Sequence, residues 1–582
     1  MIVPDQRSSS LPFSDRWFYG LVAVGIFLNA TGLYSAILEP DGALYATIAK
    51  RMAQTGDFVN LYALDNDWLD KPHFPFWMTA ISYLSFGITS FAYKLPGLLF
   101  FFMGVAYTYA FARLAYSKLV AQVAALVILT AFHTILSNGD VRAEPYLTGL
   151  IIGAVYHFYR IYLGARFYHL VLGAFWTACA LMTKGPFVLV PIGAGLVIYW
   201  LLTGQWHELL KPRWYVAVLV SFVFTLPEIY CLYQQFDLHP EKVVFDETNV
   251  SGVKFFFWDS QFGRFFNTGP IKGQGDKLFF LHTLLWAFIP WSLPLYVGVG
   301  KALAGLFKRQ NPRPIQAGPE YVSLGSGLAT FLLFSLSGFQ LPHYINIVFP
   351  FYAVLTAQFL VSLSPVALKR WTIGQSIIGV LLIGVIIWVV LLVKPPQQTG
   401  AISWSLLLLV MTFLLFRQNN LLGLAGRMVG VMLVLASVMN FVLYPLFMQY
   451  QAGMAAAQHV NENPALARQQ TWLYEPGTGV GGGSYWSYEF YANGSAPYVR
   501  SDSALRALVS TGPKRIFADG PFIDALSKND FIVQPLAVFP YFPVSRLSYP
   551  FLNYATRNQT LQPYVLVEVS EAEQERRTRT ED

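Results

Sequence analysis

Residues 17–38 read WFYGLVAVGIFLNATGLYSAIL, and EPD follows at residues 39–41. The first stretch carries no charged residue over the length that crosses the apolar part of a bilayer, roughly 17–25 residues. Two acids, Glu39 and Asp41, stand at its end, where we expect the chain to leave the bilayer. The same succession of a long apolar stretch and a short charged end recurs along the chain, and it predicts an α-helical polytopic membrane protein.

The composition supports this fold class. Of the 582 residues, 55% are hydrophobic and 12% are charged, whereas about a quarter of the residues of a soluble domain are charged. Glu228 is the one acidic residue inside an apolar stretch, near its end. The uncharged stretches predict about thirteen transmembrane helices, near residues 17–38, 95–112, 119–137, 145–159, 168–183, 185–205, 214–235, 278–300, 321–341, 344–363, 371–393, 401–416 and 428–447.

Lysine and arginine mark the connections that lie in the cytoplasm. With the N-terminus inside, the basic connections alternate correctly with thirteen helices, and the net charge of +7 lies mostly in them. This charge therefore requires no nucleic-acid partner. A first outer loop at residues 39–93 and a second long outer loop at 236–277 then lie outside. The basic connections are Arg113…Lys118, Arg160…Arg166, Lys211…Arg213, Lys301…Arg313, Lys369-Arg370 and Arg417…Arg427.

Two regions outside the predicted spans have a structure of their own. Phe74–Phe86 is apolar but too short to cross, so we interpret it as an interfacial or re-entrant helix. Residues 1–450 form the transmembrane domain, and 451–582 are more polar and punctuated by glycine and proline. Strand-like runs at 471–474, 515–517 and 564–569, with a helical pattern at 502–509, predict a small extracytoplasmic α/β domain.

The outer side of this predicted topology holds a group of ionisable residues. Such a one-sided arrangement indicates an active site at the bilayer surface. The group consists of Glu39-Pro40-Asp41, Asp70-Lys71-Pro72-His73, Asp140, Glu144, Lys184, Arg264 and His343.

The acids have structural interpretations beside the catalytic one. Asp41 opens a helical pattern, where an acid is favoured by the helix dipole, but a carboxylate there is also suited to act as a general base. Asp140 and Glu144 would share a face if they lay on one helix. Two like charges there require a cation, a metal or a ligand, and Arg142 is the simplest such cation.

The basic residues and histidines also leave two interpretations open. Lys184 could extend toward water from a span end, and Arg264, among aromatic residues, could be an interfacial anchor or a phosphate contact. His73 could belong to a solvated turn, and a lone histidine such as His343 at a span end is more often structural.

Taken in order, these motifs resemble one family, the lipid-linked-sugar transferases that include the aminoarabinose transferase of lipid A. They resemble protein O-mannosyltransferases more distantly. The resemblance extends over residues 15–450, and the first loop is its most specific part. It rests on Asp41…Tyr45, Thr55-Gly56-Asp57, Asp70-Lys71-Pro72, Phe86-Gly87, Leu95-Pro96, Asp140…Glu144-Pro145-Tyr146-Leu147, Thr183-Lys184-Gly185-Pro186, Arg264-Phe265, Pro290-Trp291 and Leu341-Pro342-His343-Tyr344.

The resemblance implies a C-type glycosyltransferase fold, and an inverting transfer of a sugar from a polyprenyl phosphate to a lipid, glycan or protein acceptor. It implies a location in the inner (plasma) membrane, with the active site on the periplasmic or extracytoplasmic face. Asp41, Asp140 and Glu144 are the implied catalytic residues, with Asp41 as the base. Lys71, Lys184, Arg264 and His343 are the implied contacts of the donor phosphate. Glu39, Tyr45, His73 and Tyr344 are the implied residues that position acceptor or sugar.

The chain also differs from the family pattern. Where the family commonly has Asp-Glu-x-Arg-Tyr, residues 41–45 read DGALY, without the second acid and the arginine. Glu144 stands where an aspartate is more usual. No cofactor is required by the sequence, and a divalent cation held by Asp140 and Glu144 is left open.

Two other functions are compatible with a polytopic chain. A transporter or flippase of lipid-linked sugars would place ionisable residues near the bilayer midplane and pair its half-helices, whereas the charges here stand at the outer edge. A sensor or scaffold built around residues 452–570 would leave the acids of the first loop unexplained.

Overall fold

The computed structural model describes residues 14–63, 66–269, 272–307, 320–476, 482–529 and 531–571. Parts of the predicted cytoplasmic loop at 301–313 and the charged C-terminal run therefore lie outside the described residues. A helical region precedes a domain with a mixed sheet, as the predicted fold class requires. The helices of the first region are α1 Asp15–Ala30, α2 Asp41–Thr55, α3 Phe74–Phe86, α4 Ser90–Ala115, α5 Lys118–Thr130, α6 Phe132–Gly139, α7 Glu144–Tyr162, α8 Tyr168–Lys184, α9 Leu189–Leu202, α10 Pro212–Leu232, α11 Gly252–Lys254, α12 Ser260–Phe265, α13 Phe279–Ala287, α14 Ser292–Phe307, α15 Glu320–Leu336, α16 Phe349–Val361, α17 Pro365–Val393, α18 Gln398–Leu415, α19 Leu421–Val438 and α20 Tyr444–Met448.

Six helices in the described part of the chain are long and apolar enough to cross a membrane. The bent pair α5 and α6, which meet at 52°, makes a seventh if it is counted as one span. The chain is thus a multi-pass membrane protein, and the count of thirteen spans stays a prediction. Large apolar side chains cover the surface of α17 and α18, among them Trp388, Leu406 and Leu414, as is expected of helices that face lipid.

The bend between α5 and α6 differs from the single span predicted at 119–137. Ala131 adopts an extended conformation and interrupts the helix. The next amide, that of Phe132, donates to the carbonyl of Ile289 at 2.8 Å instead of to a carbonyl of its own helix. The end of α6, and with it Asp140, lies beside the start of α2, where an added Cβ at Gly42 would lie 3.3 Å from Asp140 Oδ1.

The first outer loop is built from short elements that pack on the helical region. It contains α2, a two-stranded hairpin of β1 (Tyr62–Ala63) and β2 (Asn66–Asp67), and α3. The helix predicted at Phe74–Phe86 is present with those bounds. Its exposed residues include Ile81, Leu84 and Phe86, and its interfacial position stays a prediction.

The C-terminal region contains a five-stranded sheet in the order β4-β3-β5-β7-β6. The pairs β4–β3 and β3–β5 are parallel, and β5–β7 and β7–β6 are antiparallel. The strands are β3 Thr471–Tyr474, β4 Tyr498–Val499, β5 Lys514–Asp519, β6 Phe531–Tyr541 and β7 Gln562–Glu571, and the helices are α21 Ala452–Glu462, α22 Pro464–Ala467, α23 Gly483–Tyr491, α24 Asp502–Val509, α25 Gly520–Lys528 and α26 Tyr549–Leu552.

Helices cover both faces of this sheet. Successive residues of a strand point to opposite sides, so neighbouring residues of β5 contact different helices. Phe517 of β5 packs with Ala456 of α21 and Tyr488 of α23. The neighbouring Ile516 packs on the other face with Leu505 of α24 and residues of α25. The region is therefore a three-layer α/β arrangement.

Strand β6 has no counterpart among the predicted strands. It contains Pro535 and Pro540, which normally argue against a strand because proline has no amide hydrogen to donate. The strand lies at the edge of the sheet, and its pairing with β7 shifts between Pro535 and Ala537. Edge position and bulge together accommodate the prolines.

Candidate active site

Asp41 and Asp140 share one cation, Arg142. Asp41 is the first residue of α2, where the helix dipole favours a carboxylate. The Arg142 guanidinium donates from Nη1 to Asp41 Oδ2 at 2.6 Å and lies 3.0 Å, through Nη2, from Asp140 Oδ2. The Asp41 side chain keeps 38% of its exposure. We name these three residues the acidic cluster, since two carboxylates and one guanidinium leave a formal charge of −1.

Asp140 and Glu144 belong to different elements, so they do not share the helix face that one continuous helix would provide. Helix α6 ends at Gly139, and α7 begins at Glu144 with Pro145 in its first turn. Burial, together with the charge of Asp41, raises the pKa of Asp140. Although burial lowers the pKa of Arg142, the two carboxylates outweigh it and raise that pKa.

The second cluster places one carboxylate between two cations. Asp70 accepts from the Lys71 ammonium through Oδ2 and from the Arg264 guanidinium through Oδ1. We name these residues the basic cluster, since their formal charge is +1. Burial and the nearby Arg264 lower the pKa of Lys71 to about 8, with Asp70 opposing them. The three side chains are 13–18% exposed, so they are mostly buried but not sealed from solvent.

A third group joins the ends of two helices. Lys184, the last residue of α8, is paired with Glu144, the first residue of α7. Its ammonium lies 3.8 Å from the centre of the Tyr344 ring, and His343 Nε2 lies 3.9 Å from Glu144 Oε1. Lys184 is therefore buried and paired rather than extended toward water.

Lys71 connects the acidic and basic clusters. It lines a small cavity of about 20 Å³ together with Tyr45 and Arg142. It also lines a second cavity of about 20 Å³, whose wall includes Lys184 and Arg264. Lys71 thus faces Arg142, which binds the acidic carboxylates, across one cavity and two further cations across the other.

Parts of the chain resemble known proteins. Residues 70–231 match the family described as dolichyl-phosphate-mannose-protein mannosyltransferase. The undecaprenyl phosphate-alpha-4-amino-4-deoxy-L-arabinose arabinosyl transferase of Pseudomonas paraeruginosa is 26% identical over 340 residues, or 56% of each chain. An uncharacterised protein of Aquifex aeolicus is 27% identical over 351 residues, which cover 58% of this chain and 64% of that one. The aligned part is thus under two thirds of the length of these relatives.

Among solved structures, the crystal structure of ArnT from Cupriavidus metallidurans bound to undecaprenyl phosphate superimposes with a TM-score of 0.74. The match covers 95% of this chain and 98% of that one at 18% identity, so it establishes the fold. The chain has the C-type glycosyltransferase fold.

Within this C-type glycosyltransferase fold, the structure brings most of the predicted site residues together. The two cavities and the ion pairs around them collect Asp41, Tyr45, Lys71, Asp140, Glu144, Lys184, Arg264, His343 and Tyr344. Their roles toward donor and acceptor stay predictions.

Glu39 and His73 have partners within the protein instead. Glu39 is buried, and its Oε2 accepts from the Ser484 hydroxyl at 3.2 Å. His73 contacts Glu228 Oε1 through Nδ1 at 3.0 Å and the carbonyl of Val59 through Nε2 at 2.9 Å. A role of either side chain toward sugar or acceptor stays a prediction.

Three residues that contact the site were not assigned a site role from the sequence. Arg142 and Asp70 were named only as a compensating charge and as part of a motif, yet each links two site residues. Glu228 holds the loop of His73. Glu228 is the one acidic residue in an apolar stretch, and such a residue is expected to have a buried partner.

Within the described residues, no group of three or more histidine, cysteine, aspartate or glutamate side chains is arranged to hold a metal ion. The site carboxylates are paired with arginine or lysine instead. Asp140 and Glu144, which were left open as cation ligands, have separate basic partners.

Proposed function

We propose that the chain transfers a sugar from a polyprenyl phosphate to a lipid, glycan or protein acceptor on the outer face of the inner membrane. One observation carries this proposal: the acidic cluster, with the accessible Asp41, lies beside the basic cluster, because Arg142 of the one and Lys71 of the other line the same cavity. A glycosyl transfer needs both functions at neighbouring points, a base for the acceptor and cations for the departing phosphate.

In the proposed reaction, Asp41 accepts the proton of the acceptor hydroxyl. The acceptor oxygen forms a bond to the anomeric carbon of the sugar while the bond from that carbon to the phosphate oxygen breaks. The electron pair of that bond stays on the phosphate, where Lys71 and Arg264 stabilise the charge. A direct displacement of this kind inverts the configuration at the anomeric carbon.

The remaining site residues are proposed to orient the reactants. Lys184 and Tyr344 border the phosphate side, because Lys184 lines a cavity with Arg264 and lies over the Tyr344 ring. Tyr45 lines the cavity shared by Lys71 and Arg142. Arg142 holds Asp41 in place without covering it, since the carboxylate stays partly exposed.

Two relatives support the class of donor. The arabinosyl transferase is named for undecaprenyl phosphate, and the ArnT structure is described as bound to undecaprenyl phosphate. For this chain, we propose a polyprenyl phosphate of that type as the carrier of the sugar.

The experiment that tests this function is transfer by the purified protein in detergent. Lipids and glycans extracted from cells that lack the protein serve as donors and acceptors, and mass spectrometry follows the movement of one sugar mass. We expect an acceptor to gain that mass while a polyprenyl phosphate is released. A transporter or flippase could not form a product in micelles, which have no two sides, so the absence of any product would contradict the proposal.

A further inference from the structure

The stretch before Asp41 is held by side chains of two domains. On the transmembrane side, the Lys94 ammonium is buried in α4 and donates to the carbonyls of Gly32, Ser35 and Ala36 at 2.9–3.2 Å. These bonds stop before Ile37, so they do not hold the residues next to Asp41.

Gln451 holds the residues that Lys94 does not reach. It is fully buried and lies between α20 and α21, where the chain leaves the transmembrane domain. Its Oε1 accepts from the Glu39 amide at 2.8 Å, and its Nε2 donates to the Ile37 carbonyl at 3.0 Å. A single side-chain amide thus satisfies two backbone groups just before α2 begins.

Helix α23 of the C-terminal domain adds further bonds to the same stretch. The Tyr491 hydroxyl accepts from the Ile37 amide at 2.8 Å. At the start of α23, Ser484 donates to Glu39, and Gly483 packs so closely that an added Cβ would lie 3.2 Å from the Cβ of Glu39.

The same helix also holds α2 farther along. The Lys50 ammonium donates to the carbonyls of Glu489, Phe490 and Ala492 at 2.7–3.1 Å, which are the carbonyls at the C-terminal end of α23. A cation is favourable there because these carbonyls have no partner within the helix. Helix α2 is therefore attached to α23 in its middle and at the stretch that precedes it.

We infer that Gln451 is a positioning residue, through which the C-terminal domain fixes the place of Asp41 relative to Arg142 and the basic cluster. The inference rests on the proposed function of Asp41. Gln451 touches neither Asp41 nor the two cavities, so it acts only through the backbone of Ile37 and Glu39. Its loss leaves a buried amide and a buried carbonyl without partners, and such groups shift toward water or toward new partners.

The test compares the full-length variants Gln451→Met, Tyr491→Phe and Gln470→Met. Methionine is similar to glutamine in size but cannot form the two bonds. Gln470 is the matched control, since it is an exposed glutamine of the same domain. Tyr491→Phe keeps the ring and removes the hydroxyl that Ile37 uses, so it keeps the test decisive if Gln451→Met folds poorly.

Two measurements are made on each variant. Hydrogen exchange followed by mass spectrometry reports on residues 37–45, with residues 70–73 as the reference. Transfer kinetics and polyprenyl phosphate binding report on the site. For Gln451→Met we expect at least tenfold faster exchange at 37–45, at least tenfold lower kcat, and donor binding within twofold of the wild type. For Tyr491→Phe we expect smaller changes of exchange and kcat in the same direction. For Gln470→Met we expect the exchange, kcat and donor binding of the wild type.

Unchanged exchange at residues 37–45 overturns the inference, and so does an unchanged kcat with faster exchange. Donor binding that falls in parallel with kcat also overturns it, because that is the result of a general loss of structure. If the wild type transfers no sugar, the proposed function is wrong, and the exchange comparison alone decides whether Gln451 holds this stretch.

Discussion

At the scale of single residues, Asp41→Asn separates catalysis from structure. Asparagine keeps the size of the side chain and an oxygen that can accept from Arg142, so α2 should still form. An amide cannot take a proton from the acceptor, and transfer should fall roughly 100- to 10,000-fold. Initial rates of sugar transfer, with donor binding measured in parallel, check this expectation.

Asp140→Asn is the matched control, because Asp140 binds the same guanidinium. It disturbs the ion pairs of Arg142 but leaves the proposed base in place, so the loss should be milder. Near-normal turnover of the Asp41→Asn protein would remove Asp41 from the mechanism.

The two cations of the basic cluster are expected to bind the donor phosphate. Lys71→Met or Arg264→Met removes one charge-assisted bond, worth roughly 1.5–3 kcal/mol, and should weaken polyprenyl phosphate binding about ten- to a hundredfold. Lys254→Met is the control, since Lys254 is exposed and paired only weakly, at 3.6 Å, with Asp259. Equal polyprenyl phosphate binding by all three variants would mean that Lys71 and Arg264 have a structural role instead.

Donor affinity should also depend on pH through Lys71. Burial and Arg264 lower the pKa of this lysine to about 8 in the free protein. Below that pH the ammonium is charged and can bind the phosphate; above it the charge is lost, so the dissociation constant should rise. Titration calorimetry between pH 6.5 and 9.5 measures the effect. Lys71→Arg should bind without this rise, because arginine stays charged over the whole range.

At the scale of elements, the contact between α4 and α7 depends on glycine. A Cβ at Gly149 would overlap the carbonyl oxygen of Phe100, and one at Gly104 would lie 3.0 Å from the Cα of Gly149. Gly149→Ala should therefore force the helices apart, at a cost of about 1–3 kcal/mol. Thermal unfolding in detergent should show a lower Tm.

Gly20→Ala in α1 is the control for this change, because nothing lies within 4 Å of its added Cβ. Alanine also has the higher helix propensity, so this variant should be at least as stable as the wild type. An equal Tm for Gly149→Ala would mean that the helix backbones are not in close contact.

At the scale of the whole molecule, the site and the C-terminal domain are expected on one side of the membrane. Gln54 is exposed on α2, and Leu163 is exposed between α7 and α8, in a connection predicted to be cytoplasmic. A cysteine at position 54 should react with a membrane-impermeant thiol reagent on spheroplasts, and one at 163 should not. The native Cys179 and Cys231 are buried, so their own reaction with the thiol reagent should be weak. Reaction at 163 alone would contradict the orientation.

Much of this molecule follows from its sequence because a bilayer restricts the choices. Long uncharged stretches must form helices to satisfy their backbone groups, and the ionisable residues must gather at their ends. This reasoning predicts the helical region, the bounds of α3, and the α/β domain with its helix at 502–509. The site residues were named from the family resemblance of the motifs, and their roles stay predictions.

The long-range pairing of charges was decided only by the tertiary structure. Arg142 reaches Asp41 and Arg264 reaches Asp70, which are 101 and 194 residues apart along the chain. Local sequence patterns report what a segment buries, but they carry no information about which distant segment packs on it. The same reason applies to β6, which is a strand only because it lies at a sheet edge, and to Gln451, whose two bonds to residues 37 and 39 form only when the C-terminal domain packs on the first loop.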